Sequence, residues 1–454
     1  MRIRGSLAAG DMTSGGIGKP LVMFALPLLL GYLLQQFYNA FDAIVVGNFV
    51  GSEALGAVGS SGPLINMLIA FAMGMFNGAS ALTARYFGSR DGKSLHECIH
   101  TSLLMSLVMG VALGLAGSVA APKLLRLMGT PPEILPSASE YLRIYFMGLP
   151  ALIIYNFGAA TLTALGDSRR PLYFLIMSTM INVVGDLIFV LAFHQGIKGV
   201  AWSTVLAEII SAIMVIVVLI KAEGPTKLVF KDLKISGKLL RQILSIGLPG
   251  GIQGTIVSFS NVMVQSYMNG LGAISVAGYS AAQKLDAFVS LPVQTMAMAC
   301  ATFVAQNLGA AQVARARKGV RYSMLIGVLV SITLSAIVIS SGRVLLRIFT
   351  PEADVLAAGV QFMWCLAPFH FILSGTQIIP GALRGAGSVK IPTAASILSF
   401  VGLRQIYLFF ISKSHYTITG VALAYPITWS IAAIIICVCY LKSDWSKFEP
   451  KAPK

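Results

Sequence analysis

Charge is what this sequence lacks. Only 11% of its 454 residues are Asp, Glu, Lys or Arg, against about 25% in a soluble domain. Acid is scarcer than base, with 17 Asp and Glu set against 33 Lys and Arg. So long a chain with so few charges cannot cover a water-facing surface. That excludes a secreted domain, a disordered protein and an ordinary cytosolic enzyme. Cysteine is sparse too. Cys98, Cys300, Cys365, Cys437 and Cys439 fall in or beside apolar stretches with no metal or disulfide spacing, and read as small core residues. No Asn-x-Ser/Thr acceptor occurs. The Gly/Ser-rich start, Met1 to Lys19, runs into an apolar stretch too long for a signal peptide and without a cleavage site.

Catalytic motifs are missing as well. Gly88-Ser89-Arg90-Asp91-Gly92-Lys93-Ser94 resembles a phosphate-binding loop but is one residue short between its glycines, with no strand before it. No His-Glu-x-x-His or Gly-x-Ser-x-Gly occurs. The sequence therefore reads as no enzyme, with no cofactor, and any work it does draws on an ion gradient.

What is present is apolar: 56% hydrophobic residues and a mean hydropathy of +0.81. A membrane-crossing helix needs about 20 mainly apolar residues. Splitting the charge-free windows at turn signals predicts an all-α polytopic membrane protein of twelve spans, at 20–45, 53–86, 97–118, 138–165, 171–193, 198–221, 239–268, 274–307, 319–341, 355–384, 392–411 and 419–441.

Loop charges orient them. One side holds Arg2, Arg4 and Lys19, then Arg85, Arg90 and Lys93, Arg169 and Arg170, Lys221 through Arg241, Arg315 to Arg321, Arg384, Lys390 and the tail lysines. The other holds only Lys123, Arg126, Lys198, Arg343, Arg347 and Lys413. The positive-inside rule puts both termini in the cytoplasm. It also accounts for the net charge of +16 through loops and anionic lipid, without nucleic acid.

The halves match at an offset of about 221 residues. Gly51-Ser52 aligns with Gly272-Ala273, Ala84-Arg85-Tyr86-Phe87-Gly88 with Ala305-Gln306-Asn307-Leu308-Gly309, and Ile197-Lys198-Gly199-Val200-Ala201 with Ile418-Thr419-Gly420-Val421-Ala422. Six helices per repeat make the copies parallel, related by an axis along the membrane normal. The expected organisation is two pseudo-symmetric six-helix lobes, 1–221 and 239–454, joined by a basic cytoplasmic linker, 222–238. Pro27 in helix one and Pro249 in helix seven sit at equivalent places, where a missing backbone donor favours bending.

Charges inside a span are costly, about 2.5–3.5 kcal/mol on insertion scales, and need a reason. The mid-span acids are Asp42, Asp186, Glu208 and Asp286, with Arg143, Lys284 and Arg404 as bases in or near spans. Asn182 and Asp186 share a helix face, as do Thr204 and Glu208. Two carboxylates, a carboxamide and a hydroxyl from three helices of one lobe suit a small hard cation, or a proton held between like charges. Lys284 and Asp286 point to different faces and need not pair. Arg404 is expected to snorkel or to neutralise an acid. His370 is the one histidine deep in a span.

These residues resemble a known family. Met23-Phe24-Ala25-Leu26-Pro27, Asp42 with Val46-Gly47, and Gly51 through Gly59 look like the first two helices of the multidrug and toxic compound extrusion (MATE) family. Ala305 to Ala310 and Leu383 to Gly387 resemble its second-half loops. The resemblance implies an antiporter that exports amphipathic, cationic compounds in exchange for inward Na+ or H+. The DinF-like branch has a cation site similar to Asp42, Asn182, Asp186 and Thr204, with Tyr38 and Asn156 nearby; Gln35 and Glu208 are further neighbours or substrate contacts. Pro27 matches a proline at which helix one bends. The NorM-like branch adds an acidic pair in helices seven and ten, which is absent here. The second lobe offers Gln253, Lys284, Asp286, His370 and Arg404 instead. A monomer in the plasma membrane is expected, with lipid and amphipathic or cationic small molecules as partners. Export or flipping of a lipid-linked or other endogenous metabolite is the alternative.

Overall fold

The computed structural model describes residues 11–442. Arg2, Arg4 and the tail lysines beyond Lys442, which entered the expected orientation, lie outside the described residues. Among those described, the fold is all-α with no strand. Twelve helices are long and apolar enough to cross a membrane: α1 Gly18–Val50, α2 Glu53–Gly88, α3 Gly92–Leu127, α4 Leu135–Ala164, α5 Arg169–Ala192, α6 Gly196–Ile220, α7 Gly237–Asn269, α8 Ala273–Gly309, α9 Val313–Leu346, α10 Ala353–Gly385, α11 Lys390–Ser414 and α12 Ile418–Lys442.

Most expected spans agree to within a few residues. The exceptions are α3 and α9, which run well past 97–118 and 319–341 at both ends. The added turns carry Lys93, Lys123 and Arg126 in one, and Arg315, Arg317, Lys318 and Arg343 in the other. Charge closes a hydrocarbon-crossing window, but Lys and Arg are good helix formers and do not end the helix itself. Asp91 starts α3 by accepting from the Ser94 amide at 3.1 Å, an N-cap.

The repeat is written in the backbone. Gly51 and Gly272 both take positive φ, +119° and +90°, and so do Gly166 and Gly387, +90° and +82°. Even the non-glycine residues Arg90 and Ala311 match, at +57° and +58°. Each pair is separated by the offset seen in the sequence, so the two halves turn their corners in the same way.

The described residues form two compact units, Leu26–Gly247 with Asp11, and 248–442 with Met12–Ala25. The division does not fall in the 222–238 linker. It cuts α1 and α7 instead, and in each the new unit begins one residue before the proline, Pro27 or Pro249.

In the first unit α4 packs against α2, α3 and α6. Gly110 and Gly114 of α3 let the chain approach Pro150 and Phe146 of α4, where a Cβ would stand 2.7 Å from backbone atoms. The first turns of α7 lie on α2 in the same manner, with a Cβ on Gly78 coming within 2.8 Å of the Ile243 carbonyl oxygen. Small residues at such crossings allow close helix packing where the hydrophobic effect between helices is absent. The linker folds onto this unit through two short 3-10 turns, Gly224–Thr226 and Phe230–Asp232. His100 Nε2 accepts from the Val229 amide at 3.0 Å, Thr101 accepts from the Ser236 amide at 3.1 Å, and His96 meets Asp232 at 3.2 Å.

In the second unit α8 packs against α9 and α10. Gly381 and Gly385 of α10 lie over the Ala297 and Ala301 carbonyls of α8, too close for a Cβ. The segment before α1 belongs here. Arg315 donates to the carbonyls of Met12, Ser14, Gly15 and Gly16 at 2.8–3.3 Å. The Met12 amide donates to Gln306 Oε1 at 3.0 Å, and Asn307 donates back to the Met12 carbonyl at 3.2 Å. The Gln306-Asn307 pair in the repeated loop motif therefore acts structurally, anchoring the segment at Met12 beside the Arg315 contacts.

Candidate functional site

Among the described residues three helices carry a π-helical segment, each within four residues of a charged residue of a span. Val46–Val50 follows Asp42 in α1, Ile188–Ala192 follows Asp186 in α5, and Leu398–Leu403 precedes Arg404 in α11. Such insertions re-aim side chains and gather at functional positions.

The first unit brings Asp42, Asn182, Asp186, Thr204 and Tyr38 together. Asn182 and Asp186 are fully buried, and Thr204 nearly so. The Asn182 amide donates to Ser203 Oγ at 3.2 Å and Thr204 Oγ1 at 3.4 Å. Tyr38 donates to Thr204 Oγ1 at 3.3 Å, while Thr204 donates to the Val200 carbonyl at 3.0 Å. Ser203 reaches Asp186 Oδ1. The Asp42 carboxyl acts directly on that of Asp186.

The oxygens left over define the chemistry. Asp42 Oδ1, Asp186 Oδ2 and Asn182 Oδ1 are buried and have no hydrogen-bond partner among the described residues. Buried acceptors are nearly always satisfied, and each exception needs an explanation. Thr204 is different: its hydroxyl already donates once and accepts twice, which fills its capacity. Among the described residues no three His, Cys, Asp or Glu stand close enough to hold a metal ion. The cluster has two carboxylates and neutral oxygens, donors of the kind that hold a hard cation or, between two facing carboxylates, a proton.

Not every expected neighbour is in this cluster. Gln35 is exposed and makes none of these hydrogen bonds. Asn156 donates to its own helix, at the Leu152 carbonyl, 2.8 Å. It lines a small apolar cavity with Leu68, Phe76, Leu113 and Ile153 instead. Glu208, one turn beyond Thr204, sits within electrostatic reach of Tyr38, Tyr145 and Tyr155, with Oε2 buried and unpartnered. The sequence reading missed Ser203 and Tyr141, the second of which lies within reach of both Asp42 and Asp186. Tyr141 and Tyr145 are spaced one turn apart in a span, which is the signal that was available.

The second-lobe candidates are placed as follows. Gln253 accepts from Thr393 at 3.1 Å. Lys284 and Asp286 do not pair: Lys284 lies over the Phe349 ring at 5.5 Å, and Asp286 meets His370 Nε2 at 2.7 Å. Arg404 neither snorkels nor neutralises an acid directly. It is 3% exposed, donates to Asn261 at 3.1 Å and Thr428 at 3.3 Å, and lies over the Tyr425 ring at 4.7 Å. The π-helical segment ends at this residue, and the aromatic face supplies what a carboxylate would.

Comparison with known proteins agrees with this architecture. The sequence pattern of the MatE family matches twice, over residues 27–188 and 249–410. The probable multidrug resistance protein YoeA of Bacillus subtilis (strain 168) is 29% identical over 441 residues, spanning 95% of each chain. The multidrug export protein MepA of Staphylococcus aureus (strain MSSA476) is 22% identical, spanning 94% of each. A solved structure of a multidrug resistance MATE family transporter in an outward-facing conformation superimposes with a TM-score of 0.89 at 23% identity, covering 97% of this chain and 98% of that one. Two matched copies of one pattern, each opening on the proline of a cut helix, join the repeat, the twelve spans and the relatives into one reading: the chain is a multi-pass membrane protein and belongs to the MatE (MATE) family of transporters.

Proposed function

We propose that this protein is a secondary active exporter of amphipathic, cationic small molecules, driven by inward Na+ or H+ bound at Asp42 and Asp186. The single observation that carries the reading is the trio of buried oxygens, Asp42 Oδ1, Asp186 Oδ2 and Asn182 Oδ1, to which no donor is turned among the described residues. Two carboxylates in contact inside a span repel unless a proton or a cation lies with them. Thr204 serves in this reading as the residue that orients Tyr38 and Asn182. The relatives called multidrug resistance and multidrug export proteins support export of drugs.

The cycle follows from that repulsion. Outward-facing protein takes up the cation, the carboxylates draw together, and α1 bends at Pro27, where the Met23 carbonyl lacks its intrahelical donor. Substrate leaves outward, the lobes exchange access, and the cation is released to the cytoplasm as substrate binds. Coupling requires that cation and substrate favour opposite states. The lack of any mid-span acid in α7 and α10 favours the DinF-like over the NorM-like branch. Loop charge favours a plasma-membrane protein with cytoplasmic termini.

Expression in a bacterial host stripped of its own drug exporters, set beside a lipid-translocation assay with purified protein, tests the reading. Raised tolerance to ethidium and similar cations without lipid translocation is expected. Lipid translocation with unchanged tolerance would overturn it.

A further inference from the structure

The second unit holds a set of titratable groups that the Asp42 cluster does not use. His370 is fully buried in α10, directly after the 3-10 turn Ala367–Phe369. Its Nε2 lies 2.7 Å from Asp286 Oδ1 on α8, and its Nδ1 lies 3.1 Å from the Ser335 hydroxyl on α9. The Trp429 ring of α12 covers it, with centroids 5.9 Å apart. Three helices thus build one hydrogen-bonded chain, Asp286–His370–Ser335. The Asp286 side chain is 25% exposed, so one end of the chain is open and the other closed.

We propose that this chain is a second coupling site in the protein, specific for a proton, which is held on His370 and exchanged with the outside of the cluster at Asp286. At 2.7 Å a carboxylate and a ring nitrogen need a hydrogen between them, since two bare acceptors repel. The other ring nitrogen faces a hydroxyl, which can donate to it or accept from it. The imidazole therefore has a neutral and a cationic form that share one set of heavy-atom positions. Gaining the second proton requires only that the Ser335 hydroxyl turn over. A metal ion is not the expected occupant, because a single imidazole and a single carboxylate are too few ligands.

The surrounding charges set the consequence. Among the described residues, Asp286 is the only acid facing His370. Tyr279 and Tyr425, whose hydroxyls are 3.0 Å apart, lie within electrostatic reach of Asp286, and so link it to Arg404. Lys284 is turned away over Phe349. With His370 neutral, the charges of Asp286 and Arg404 cancel. With the proton bound, the group carries one net positive charge in a medium that screens it weakly. Proton binding then disfavours a cationic substrate, and loss of the proton favours it, which is the opposition an antiporter needs. This last step rests on the exporter reading; proton binding at His370 does not.

The protein has five histidines, so ring-15N-histidine NMR in lipid nanodiscs can follow them all from pH 5 to 9. His370→Gln identifies the signal, and perturbation of the same signal by Ser335→Ala identifies it if that variant fails to fold. The His370 signal is expected to change between its singly and doubly protonated forms over this range, and that change is expected to be altered in Asp286→Asn. Ethidium export driven by a pH gradient alone in proteoliposomes is expected to fall at least tenfold in His370→Gln. A signal that keeps one form throughout, a titration unchanged by Asp286→Asn, or pH-driven export unchanged in His370→Gln would each overturn the proposal. Asp42→Asn separates the two sites. Should the Asp42 reading fail alone, that variant exports as wild type while His370 still titrates. Should the present proposal fail alone, the His370 signal is flat while Asp42→Asn has lost driven export.

Discussion

Asp42 on α1 and Asp186 on α5 stand within hydrogen-bonding reach of each other, and each keeps one buried oxygen to which no other described residue donates. A structural pair of acids would be expected to use its lone pairs on neighbouring donors. Here the Ser203 hydroxyl is shared between Oδ1 of Asp186 and the Val200 carbonyl, and Asn182 turns its donors to Ser203 and Thr204. The Asn182 carbonyl oxygen, like one oxygen of each carboxylate, is buried without a donor among the described residues, which leaves acceptors free for a positively charged ligand.

Asn182→Ala removes one of the three free oxygens and the hydrogen bonds that orient Ser203 and Thr204. A hydrogen bond of this kind contributes about 0.5–1.5 kcal/mol. The apparent affinity for the driving ion, read from export rate against ion concentration, is expected to fall by about 2- to 10-fold, with drug tolerance reduced and not abolished.

Thr204→Val tests the division of labour within the cluster. The Thr204 oxygen already accepts from Tyr38 and Asn182, so it is not a free ligand. The variant is expected to weaken ion dependence less than Asn182→Ala does. A Thr204→Val loss equal to that of Asp42→Asn would assign the hydroxyl a direct contact with the ion.

Gly385→Val probes the close packing of α10 on α8. Its Cβ would stand 2.3 Å from the Ala301 carbonyl oxygen, and backbone cannot yield as a side chain tip can. Overpacking of this kind costs about 1–3 kcal/mol. Thermal denaturation followed by size-exclusion chromatography is expected to show a lower midpoint. Gly59→Ala, where a Cβ meets nothing, is expected to show none.

Arg315 holds residues 12–16 through four carbonyls. Arg315→Ala is expected to raise hydrogen–deuterium exchange in that segment. Arg315→Lys is expected to rescue it poorly, because one ammonium cannot span the carbonyls that a planar fork does.

The twelve spans were legible because an apolar run of the right length has one fate in lipid, and the repeat was legible because its corners reuse the same residues. Charge at helix ends hid the true lengths of α3 and α9, since hydropathy measures the membrane and not the helix. The cluster was partly legible. Asn182 and Asp186 show themselves by i, i+4 spacing, and so does Thr204 with Glu208. Ser203 was invisible because no periodicity marks a serine next to a threonine. Asn156 was carried in by resemblance, and its amide turns to its own backbone instead. The contact of Asp286 with His370 joins residues 84 apart in sequence, and nothing local announces it. Nor does the sequence show that the compact units exchange at Leu26 and Leu248, since a proline reveals where a helix can bend but not which neighbours each side prefers.

In the proposed cycle a cation or proton between Asp42 and Asp186 drives export. Asp42→Asn keeps the size of the side chain and removes its charge. The decisive measurement is ethidium export in proteoliposomes of wild type and this variant, under a Na+ gradient and a pH gradient imposed separately. Wild type is expected to be driven by at least one gradient and Asp42→Asn, folded and inserted to the same level, by neither. Gradient-driven export by Asp42→Asn at the wild-type rate would contradict the proposed cycle.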